Sequence, residues 1–316
     1  MATPLRAYLS VDWDFFVRSL GQWDWGHQES PFFRTGAMWT IRVSDFIRQG
    51  IDLTEEMSPE EHARPRPETF WGVLEQLDYD FSDVETFIVA DTHAGAAPVF
   101  NQMARESGEP DVIINFDAHH DVGYKPWKEL KHFIESGQCA CDNWLCSFLC
   151  GFPNTKARII FPDWLREDNK LKDEINSIRK ALPRKMWSRV RASFFTNENG
   201  AIDSLVSNYG ELIEVAAIYV CRSGAWTPPW LDDDFIYFVR EGEEVVGLNA
   251  IPSLFYGGFD IDPFEVREFD WAGARQMASD MNKMMAKMIA EKALEDRIKE
   301  VREAFEEEGD ENEDDG

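Results

Sequence analysis

Five short apolar segments, each followed by sequence of helical character, constrain the fold of this chain most. Strands of a parallel sheet that is covered on both faces are nearly unbroken in hydrophobicity, and helices connect them. The predicted strands are 7–12, 86–90, 112–117, 158–162 and 215–221. The predicted helices between them are 68–77, 95–107, 126–136, 142–150, 164–182, 203–213 and 231–240. This alternation predicts an α/β fold with a mostly parallel sheet.

The composition suits one large domain with an acidic surface. The chain has 316 residues, of which 44% are apolar and 13% aromatic, so it can bury a sizeable core. Asp and Glu exceed Lys and Arg by 59 to 32, and removing the eight acids of residues 306–316 still leaves 19 of the 27 net negative charges. This charge argues against nucleic acid as the main partner. It would attract a cationic substrate, although a role in solubility alone explains it equally well.

The last third of the chain contains a long helical segment and an acidic tail. Apolar residues recur near helical spacing at Met277, Met281, Met284, Met288, Leu294, Ile298, Val301 and Phe305. They predict an amphipathic helix over 271–305 that packs on the body of the protein or on a second subunit of a homo-oligomer. Residues 1–270 are then the main domain, and 306–316 are a disordered acidic tail.

The cysteines and the N-terminus indicate a reducing cytoplasm. Four of the five cysteines cluster at Cys139, Cys141, Cys146 and Cys150. They lack the paired spacing of most zinc sites, so we interpret them as reduced thiols on a helix. The N-terminal segment has no apolar run as long as that of a signal peptide or membrane span, and we expect no membrane association.

Carboxylates and histidines follow several predicted strands. Those that follow the first three are Asp12, Asp14, Asp91, His93, Asp117, His119 and Asp121. Ligands of parallel sheets bind at the carboxyl ends of the strands, so side chains from distant segments converge there. In NFDAHHD, residues 115–121, extended backbone places every second side chain on one side. Carboxylates with an intervening imidazole suit Mn²⁺ or Zn²⁺.

The segment Asp-Ala-His-x-Asp, residues 117–121, resembles the central metal motif of the arginase/agmatinase (ureohydrolase) superfamily. His93, 24 residues before Asp117, matches a metal-ligand histidine that the family carries upstream. Asp12 and Asp14 match the Asp-x-Asp pair of the family. The resemblance implies a three-layer arginase-like fold and two Mn²⁺ ions, with Zn²⁺ or Fe²⁺ fitting less well.

The order of the motifs departs from that of ordinary arginases. Asp12 and Asp14 come first in the chain, whereas a second pair, Asp260 and Asp262, lies where the usual order expects it. We prefer the first pair because its strand is apolar, whereas 252–258 has the character of a loop. With that choice, the fold is circularly permuted relative to the usual arrangement.

A less studied arginase-like family, which includes peptide arginases, is similar over most of residues 8–230. The shared segments are DWDFF at 12–16, Asn143–Trp144, and Arg222-Ser223 followed by Thr227-Pro228. The resemblance implies conversion of peptidyl arginine to ornithine with release of urea. By the family pattern, one ion takes His93, Asp117, Asp121 and a bridging Asp12, and the other takes Asp117, His119, Asp12 and Asp14.

Further site residues are predicted around these ligands. The leaving amine needs a proton, for which histidine is the usual shuttle. His27 lies in an aromatic, acidic loop after the first strand and is preferred to His120, which alternates away from the ligand side. Glu29 and Asp142 are predicted to bind the substrate guanidinium.

Other functions compete with this interpretation. A deacetylase-like amidohydrolase would use one zinc and fewer carboxylates. A haloacid-type phosphatase expects Ser or Thr where this chain has Phe15 and Phe16. A metal-stabilised binding protein without activity is the non-enzyme alternative. The sequence leaves open whether the substrate is peptidyl arginine or a free small guanidino compound such as arginine or agmatine.

Overall fold

The computed structural model describes residues 4–18, 32–167, 171–253 and 262–310. The strands are β1 Leu5–Asp12, β2 Tyr79–Asp80, β3 Thr86–Ala90, β4 Val112–Phe116, β5 Lys156–Phe161, β6 Val190–Phe194, β7 Ile213–Cys221 and β8 Ile251–Pro252. The α-helices are α1 Phe32–Gln49, α2 Leu53–Glu56, α3 Pro59–His62, α4 Pro67–Gln76, α5 Ala96–Glu106, α6 Trp127–Glu135, α7 Trp144–Gly151, α8 Trp164–Glu167, α9 Leu171–Ala181, α10 Ser204–Ser207, α11 Asp232–Val246 and α12 Trp271–Asp310. Short 3₁₀ helices cover Trp13–Phe15, His93–Gly95, Cys141–Asn143, Arg184–Met186, Asn208–Gly210 and Pro229–Leu231.

The eight strands form one sheet in the order β6-β5-β4-β1-β7-β3-β8, with β2 also paired to β7. Every pairing in the sheet is parallel. Parallel strands need crossover connections, and these are supplied by the intervening helices. The predicted α/β fold, a parallel sheet with flanking helices in three layers and a long C-terminal helix, is confirmed.

Helices cover both faces of the sheet because successive side chains of each strand point to opposite faces. On one face, Tyr8 of β1 packs against Phe100 of α5 at 5.1 Å and Phe148 of α7 at 6.4 Å between ring centroids. On the other face, Phe116 of β4 packs against Phe70 of α4 at 5.1 Å. The sheet interior is therefore apolar on both sides, and polar side chains collect at the strand ends.

The register of the central strands brings their carboxyl ends to one level. Asp12, the last residue of β1, lies opposite Cys221, the last residue of β7. Ala90, the last residue of β3, lies opposite the same Cys221, and Phe116 of β4 lies opposite Val11. The segments that leave β1, β3, β4 and β7 therefore begin at one edge of the sheet.

Several predicted elements differ from the structure. The helix expected over 203–213 is one short turn, α10, because Asn208 adopts the left-handed conformation with φ of 43° and β7 begins at Ile213. Strand β6 and helix α1 were not predicted. Within the helix expected over 164–182, the structure describes α8 and α9, and residues 168–170 between them lie outside the described part of the chain.

The chain divides into two compact units, Met1–Ala37 with Thr54–Phe269, and Met38–Leu53 with Asp270–Gly316. The first unit contains the sheet. In the second unit Ser44 Oγ donates to the carbonyl of Ala274 at 2.9 Å, so residues 38–53 group with α12 rather than with the main domain.

Helix α12 continues to Asp310, into the segment expected to be a disordered tail, and 311–316 lie outside the described residues. Ala274 and Ala278 are buried, but every side chain from Asn282 to Lys299 is exposed. Among the side chains described, up to Lys299, the predicted packing face is therefore buried only in the first turns of the helix. Among the described helices, none has the length and apolar character that crossing a bilayer requires.

Candidate metal centre

Six acidic and histidine side chains meet at the carboxyl edge of the sheet. They are Asp12, Asp14, His93, Asp117, His119 and Asp121, and we call them the Asp–His cluster. Five of the six residues are buried, and the His119 side chain is 26% exposed. The structure thus brings together all six residues that the sequence predicts as metal ligands.

One half of the Asp–His cluster surrounds His93. Its Nδ1 atom lies 2.9 Å from Asp12 Oδ2, 3.0 Å from Asp121 Oδ2 and 3.5 Å from Asp117 Oδ2. Three carboxylates from two distant segments, one at the end of β1 and one after β4, therefore face one imidazole nitrogen.

The other half surrounds His119. Its Nδ1 atom lies 2.9 Å from Asp14 Oδ2 and 3.6 Å from Asp117 Oδ1. Asp117 thus presents one oxygen to each histidine. A carboxylate in this position can bridge two half-sites, and this division agrees with the ligand sets that the resemblance implies, apart from Asp12, which contacts only the first half.

The local sequence DWDFF fixes Asp12 and Asp14. Asp12 caps the 3₁₀ turn Trp13–Phe15, since its Oδ1 accepts a hydrogen bond from the Asp14 amide at 3.0 Å. Phe15 packs against Phe116 of β4 at 5.6 Å, and Phe16 packs against Phe238 of α11 at 5.0 Å. The two aromatic rings hold the turn against the core and leave the carboxylates at the edge of the sheet.

Neighbouring polar groups orient the cluster. Ser10 Oγ lies 2.9 Å from His93 Nε2, so the other nitrogen of the ring faces the carboxylates. Trp144 Nε1 donates to Asp121 Oδ2 at 2.6 Å, and Ser223 Oγ donates to Asp12 Oδ2 at 2.7 Å. Such partners around the ligands are typical of metal sites, where they fix ligand geometry.

The backbone is strained at two of these positions. Asp121 and Ser223 have φ values of 50° and 52°, which non-glycine residues rarely adopt. Strained conformations concentrate at functional sites, where the surrounding structure maintains them. Both residues take part in carboxylate contacts of the cluster.

The electrostatics of the cluster favour a bound cation. Burial raises the pKa of Asp12, Asp14, Asp117 and Asp121, that of Asp117 to about 7, with the neighbouring carboxylates adding to the effect. Burial opposes protonation of His93 and His119, but the facing carboxylates outweigh it and hold both pKa values well above the usual range. Four buried carboxylates are therefore stable only with compensating positive charge, from protons or from metal ions.

The donor set also fits a metal. His93, Asp117 and Asp121 form one group with donor atoms within 4.8 Å of one another, and Asp14, Asp117 and His119 form a second. A third group joins Asp12 and His93 with Cys221. Carboxylate and imidazole donors suit Mn²⁺, whereas a thiolate donor would favour Zn²⁺. The cluster could hold a metal ion.

A buried ionic network shapes the 222–230 loop, which follows β7. Arg222 Nε donates to Asp91 Oδ1 at 2.6 Å. Arg267 contacts both oxygens of Asp232, at 2.8 and 2.5 Å, and donates to the carbonyl of Gly224 at 3.0 Å. A Cβ atom at Gly224 would lie 2.7 Å from Arg267 Nη1, so this close approach needs glycine.

A narrow cleft of about 20 Å³, partly open to solvent and with room for about one water molecule, reaches the cluster. Four residues of the Asp–His cluster line the cleft: Asp12, His93, His119 and Asp121. The other lining residues are Tyr124, Cys141, Asp142, Ser223 and Trp226. Asp142, predicted to bind substrate, lies in this lining within the 3₁₀ turn Cys141–Asn143. The cleft therefore joins the candidate metal centre to one of the predicted substrate contacts.

Of the other predicted residues that the structure describes, His120 and Asp262 do not join the cluster. His120 is buried, its Nδ1 accepts a hydrogen bond from the Val122 amide at 3.2 Å, and its ring stacks on Tyr124. Asp262 is exposed and accepts from the Phe264 amide at 2.9 Å. His27, Glu29 and Asp260 lie outside the described residues.

Sequence reasoning missed the roles of Ser10, Trp144, Cys221, Ser223 and Trp226 around the cluster. The sequence contains a usable signal for three of them, Cys221, Ser223 and Trp226. The strand that ends at Cys221 was predicted, and residues that follow a central parallel strand belong to the ligand edge. Ser10 and Trp144 lie inside a strand and a helix, where the sequence pattern predicts packing.

Comparison with protein-family models, with curated proteins and with solved structures finds no match for this chain.

Proposed function

We propose that this chain is a binuclear-metal hydrolase of guanidinium groups, a peptide arginase that converts peptidyl arginine to ornithine with release of urea in the cytoplasm. The observation that supports the proposal most is the position of Asp117. Its oxygens lie 3.5 and 3.6 Å from Nδ1 of His93 and of His119, so one carboxylate serves two half-sites.

The chemistry needs a strong nucleophile because the guanidinium carbon is a poor electrophile. Two Mn²⁺ ions held by the Asp–His cluster would lower the pKa of a shared water. One water is consumed, the bond between the guanidinium carbon and the side-chain nitrogen breaks, and that nitrogen leaves as an amine after taking a proton. His27 remains the predicted proton shuttle, and Glu29 and Asp142 the predicted guanidinium ligands.

The residues of this chain would act on the substrate and on the ligands. Ser223 and Trp144 hold the carboxylates of Asp12 and Asp121 in fixed orientations through hydrogen bonds of 2.7 and 2.6 Å. The acidic surface of the chain attracts a cationic substrate toward the cleft. A peptide is preferred to free arginine on the strength of the resemblance in DWDFF, Asn143–Trp144 and the segment from Arg222 to Pro228.

A urea-release assay with Mn²⁺ tests the proposal. The assay compares an arginine-containing peptide with arginine and agmatine, and includes an acyl-lysine peptide as a probe for deacetylation. We expect urea from the arginine peptide and none when Mn²⁺ is removed by chelation. Urea only from the small compounds would indicate an arginase or agmatinase, and deacetylation without urea would indicate the amidohydrolase alternative. Metal binding without any turnover would leave a metal-stabilised binding protein.

A further inference from the structure

Trp226 and Asp142 line the cleft but lie outside the Asp–His cluster. Both are partly exposed, and they share the cleft with His119 and Asp121. The rings of Trp226 and His119 lie 5.0 Å apart with their planes at 48°. An indole and a carboxylate therefore border the same space directly beside the candidate metal centre.

We infer that Trp226 and Asp142 together bind the guanidinium group of the substrate, an inference that rests on the proposed hydrolysis of a guanidino compound. A guanidinium is a planar cation that stacks on aromatic faces and donates N–H groups in its plane. Indole is the strongest aromatic partner for a cation, and a carboxylate is the natural acceptor for the N–H groups. The pair therefore selects arginine side chains over lysine ammonium groups, which have no face to stack, and over neutral acyl-lysine.

The backbone around Trp226 is fixed before any substrate arrives. The Trp226 amide donates to the Ser223 carbonyl at 2.7 Å. Arg267 donates to the carbonyls of Gly224 and Thr227 at 3.0 and 3.2 Å, on either side of Trp226. A group held this way loses little conformational entropy on binding, which favours affinity.

Asp142 is likewise tied to the cluster. Asn143 Nδ2 donates to Asp142 Oδ1 at 3.1 Å, and the next residue, Trp144, donates to Asp121 Oδ2 at 2.6 Å. A cation bound at Asp142 is thereby held next to the residues that would bind the metal. Recognition and hydrolysis thus involve the same short segment, from Cys141 to Trp144.

The test uses the full chain with Trp226→Leu, Trp226→Phe and Asp142→Asn. Trp230→Leu is the matched control, because Trp230 is a partly exposed tryptophan of the same loop that packs on Phe269 at 5.4 Å and does not line the cleft. Binding of an arginine peptide and of the same peptide with citrulline is measured by calorimetry on chelator-treated protein, where no turnover occurs. KM and kcat for urea release are measured on the Mn²⁺-loaded protein.

We expect wild type to bind the arginine peptide more tightly than the citrulline peptide. Trp226→Leu should weaken arginine binding about threefold to thirtyfold, and raise KM more than it lowers kcat. Asp142→Asn should weaken arginine binding about tenfold. Trp226→Phe should keep most of the affinity because it keeps a ring, and Trp230→Leu should keep all of it.

Equal arginine affinity in wild type and Trp226→Leu, or equal losses in Trp226→Leu and Trp230→Leu, would overturn the inference. If Trp226→Leu does not fold, Trp226→Phe and Asp142→Asn still test the inference. Unchanged selectivity for the arginine peptide over the citrulline peptide in Asp142→Asn would also contradict it. Selective binding of the arginine peptide without urea release supports guanidinium binding by Trp226 and Asp142 and contradicts the proposed hydrolase activity. Urea release with an unchanged KM in Trp226→Leu contradicts guanidinium binding by this pair and leaves the proposed hydrolase activity standing.

Discussion

Asp117 is held so that neither of its oxygens can turn away from its histidine. The His119 amide donates to Oδ1 at 2.6 Å, and Asn115 Nδ2 donates to Oδ2 at 3.0 Å. Each oxygen therefore has one hydrogen-bond donor and one facing imidazole, and the residue is completely buried. A change at this one side chain should disturb both half-sites at once.

Asp117→Asn should abolish tight binding of both metal ions. The amide that replaces one oxygen carries N–H donors, which cannot bind a cation and repel the donors already present. For the proposed two-manganese hydrolase, we expect Mn²⁺ content to fall from two per chain to less than one, and kcat/KM for urea release to fall more than about 100-fold. Metal content by elemental analysis and the urea assay measure the two effects.

The matched control for this change is Asp111→Asn, at the opposite end of the same strand. Asp111 is exposed and accepts a hydrogen bond from the Arg6 amide at 3.0 Å, which asparagine can also accept. The control should keep both metal content and activity. An Asp117→Asn protein with full metal content would contradict the bridging role.

Trp144→Phe isolates the contribution of a group that touches a ligand without binding metal. The change removes the indole N–H that Asp121 Oδ2 accepts at 2.6 Å. We expect Mn²⁺ affinity, measured by calorimetric titration, to fall about tenfold to 100-fold. Trp71→Phe is the control, because it removes a buried indole N–H that donates at 2.9 Å to the Phe238 carbonyl of α11 and not to a cluster residue. Equal Mn²⁺ affinity in the two variants would show that Trp144 only packs.

At the scale of elements, the 222–230 loop depends on buried charged groups as well as on apolar packing. Arg222, Asp232 and Arg267 are all buried, and their contacts join the loop to the start of α11 and to residues 265–267. Buried ion pairs are not always stabilising compared with apolar residues, but removing one partner leaves a buried charge without compensation. The loop that carries Ser223 and Trp226 should therefore be sensitive to single substitutions in this network.

Arg267→Met should destabilise the protein by up to about 3–5 kcal/mol, because Asp232 loses the guanidinium that contacts both of its oxygens and keeps only Arg222 Nη1, at 3.6 Å. Denaturant unfolding measures the loss. Arg66→Met is the control: Arg66 forms an exposed ion pair with Glu68 at 3.8 Å, and its loss should cost less than about 1 kcal/mol. Similar denaturant midpoints for Arg267→Met and Arg66→Met would mean that the buried ionic network contributes no more to the free energy of unfolding than an exposed ion pair does.

The same scale explains which elements the sequence predicts. Strands β1, β3, β4, β5 and β7 were found because they are largely buried on both faces and nearly continuous in apolar residues. Strand β6 is an edge strand in which Arg191 is exposed, so its apolar pattern is weak. The helix expected over 203–213 ends early because Asn208, whose Oδ1 accepts from Arg158 at 2.6 Å, takes the left-handed conformation.

The six cluster residues were predictable because each lies at the end of an apolar strand or within five residues of it, at the edge where parallel strands converge, and because their motifs resemble those of a known family. Two residues that orient them, Ser10 and Trp144, were not predictable from the hydrophobic pattern. Trp144 reaches Asp121 from the first turn of α7, 23 positions along the chain. That contact depends on how α7 packs, which no local pattern contains, whereas a strand end can be found from hydrophobicity alone.

At the scale of the whole molecule, the acidity of the chain and the buried cluster make stability depend on pH and metal together. The folded pKa of Asp117 is about 7, whereas an unfolded aspartate has a pKa of about 3.9. The folded state therefore binds this proton more tightly, and the resulting stability is complete below about pH 4 and is lost as the pH rises through about 7. The raised pKa values of His93 and His119 act in the same direction: their contribution to stability is complete below about pH 6.5 and is lost as the pH rises through the raised folded pKa values.

Metal-free protein should therefore become less stable as the pH rises from 5.5 to 8, and Mn²⁺ should reverse the trend. Mn²⁺ binds the deprotonated side chains of the cluster. At high pH the cluster has already lost its protons, whereas at low pH Mn²⁺ must displace them, so it binds more weakly there. At a free Mn²⁺ concentration about 100 times the Kd, binding adds about 2.7 kcal/mol to the free energy of unfolding. At a constant Mn²⁺ concentration, this stabilisation decreases as the pH falls, because protons compete for the same side chains. Thermal unfolding at each pH, with chelator or with Mn²⁺, measures the difference in Tm, and Asp117→Asn should remove that difference. A Tm increase by Mn²⁺ that is equal or larger at pH 5.5 would mean that the ion binds somewhere other than these carboxylates and imidazoles.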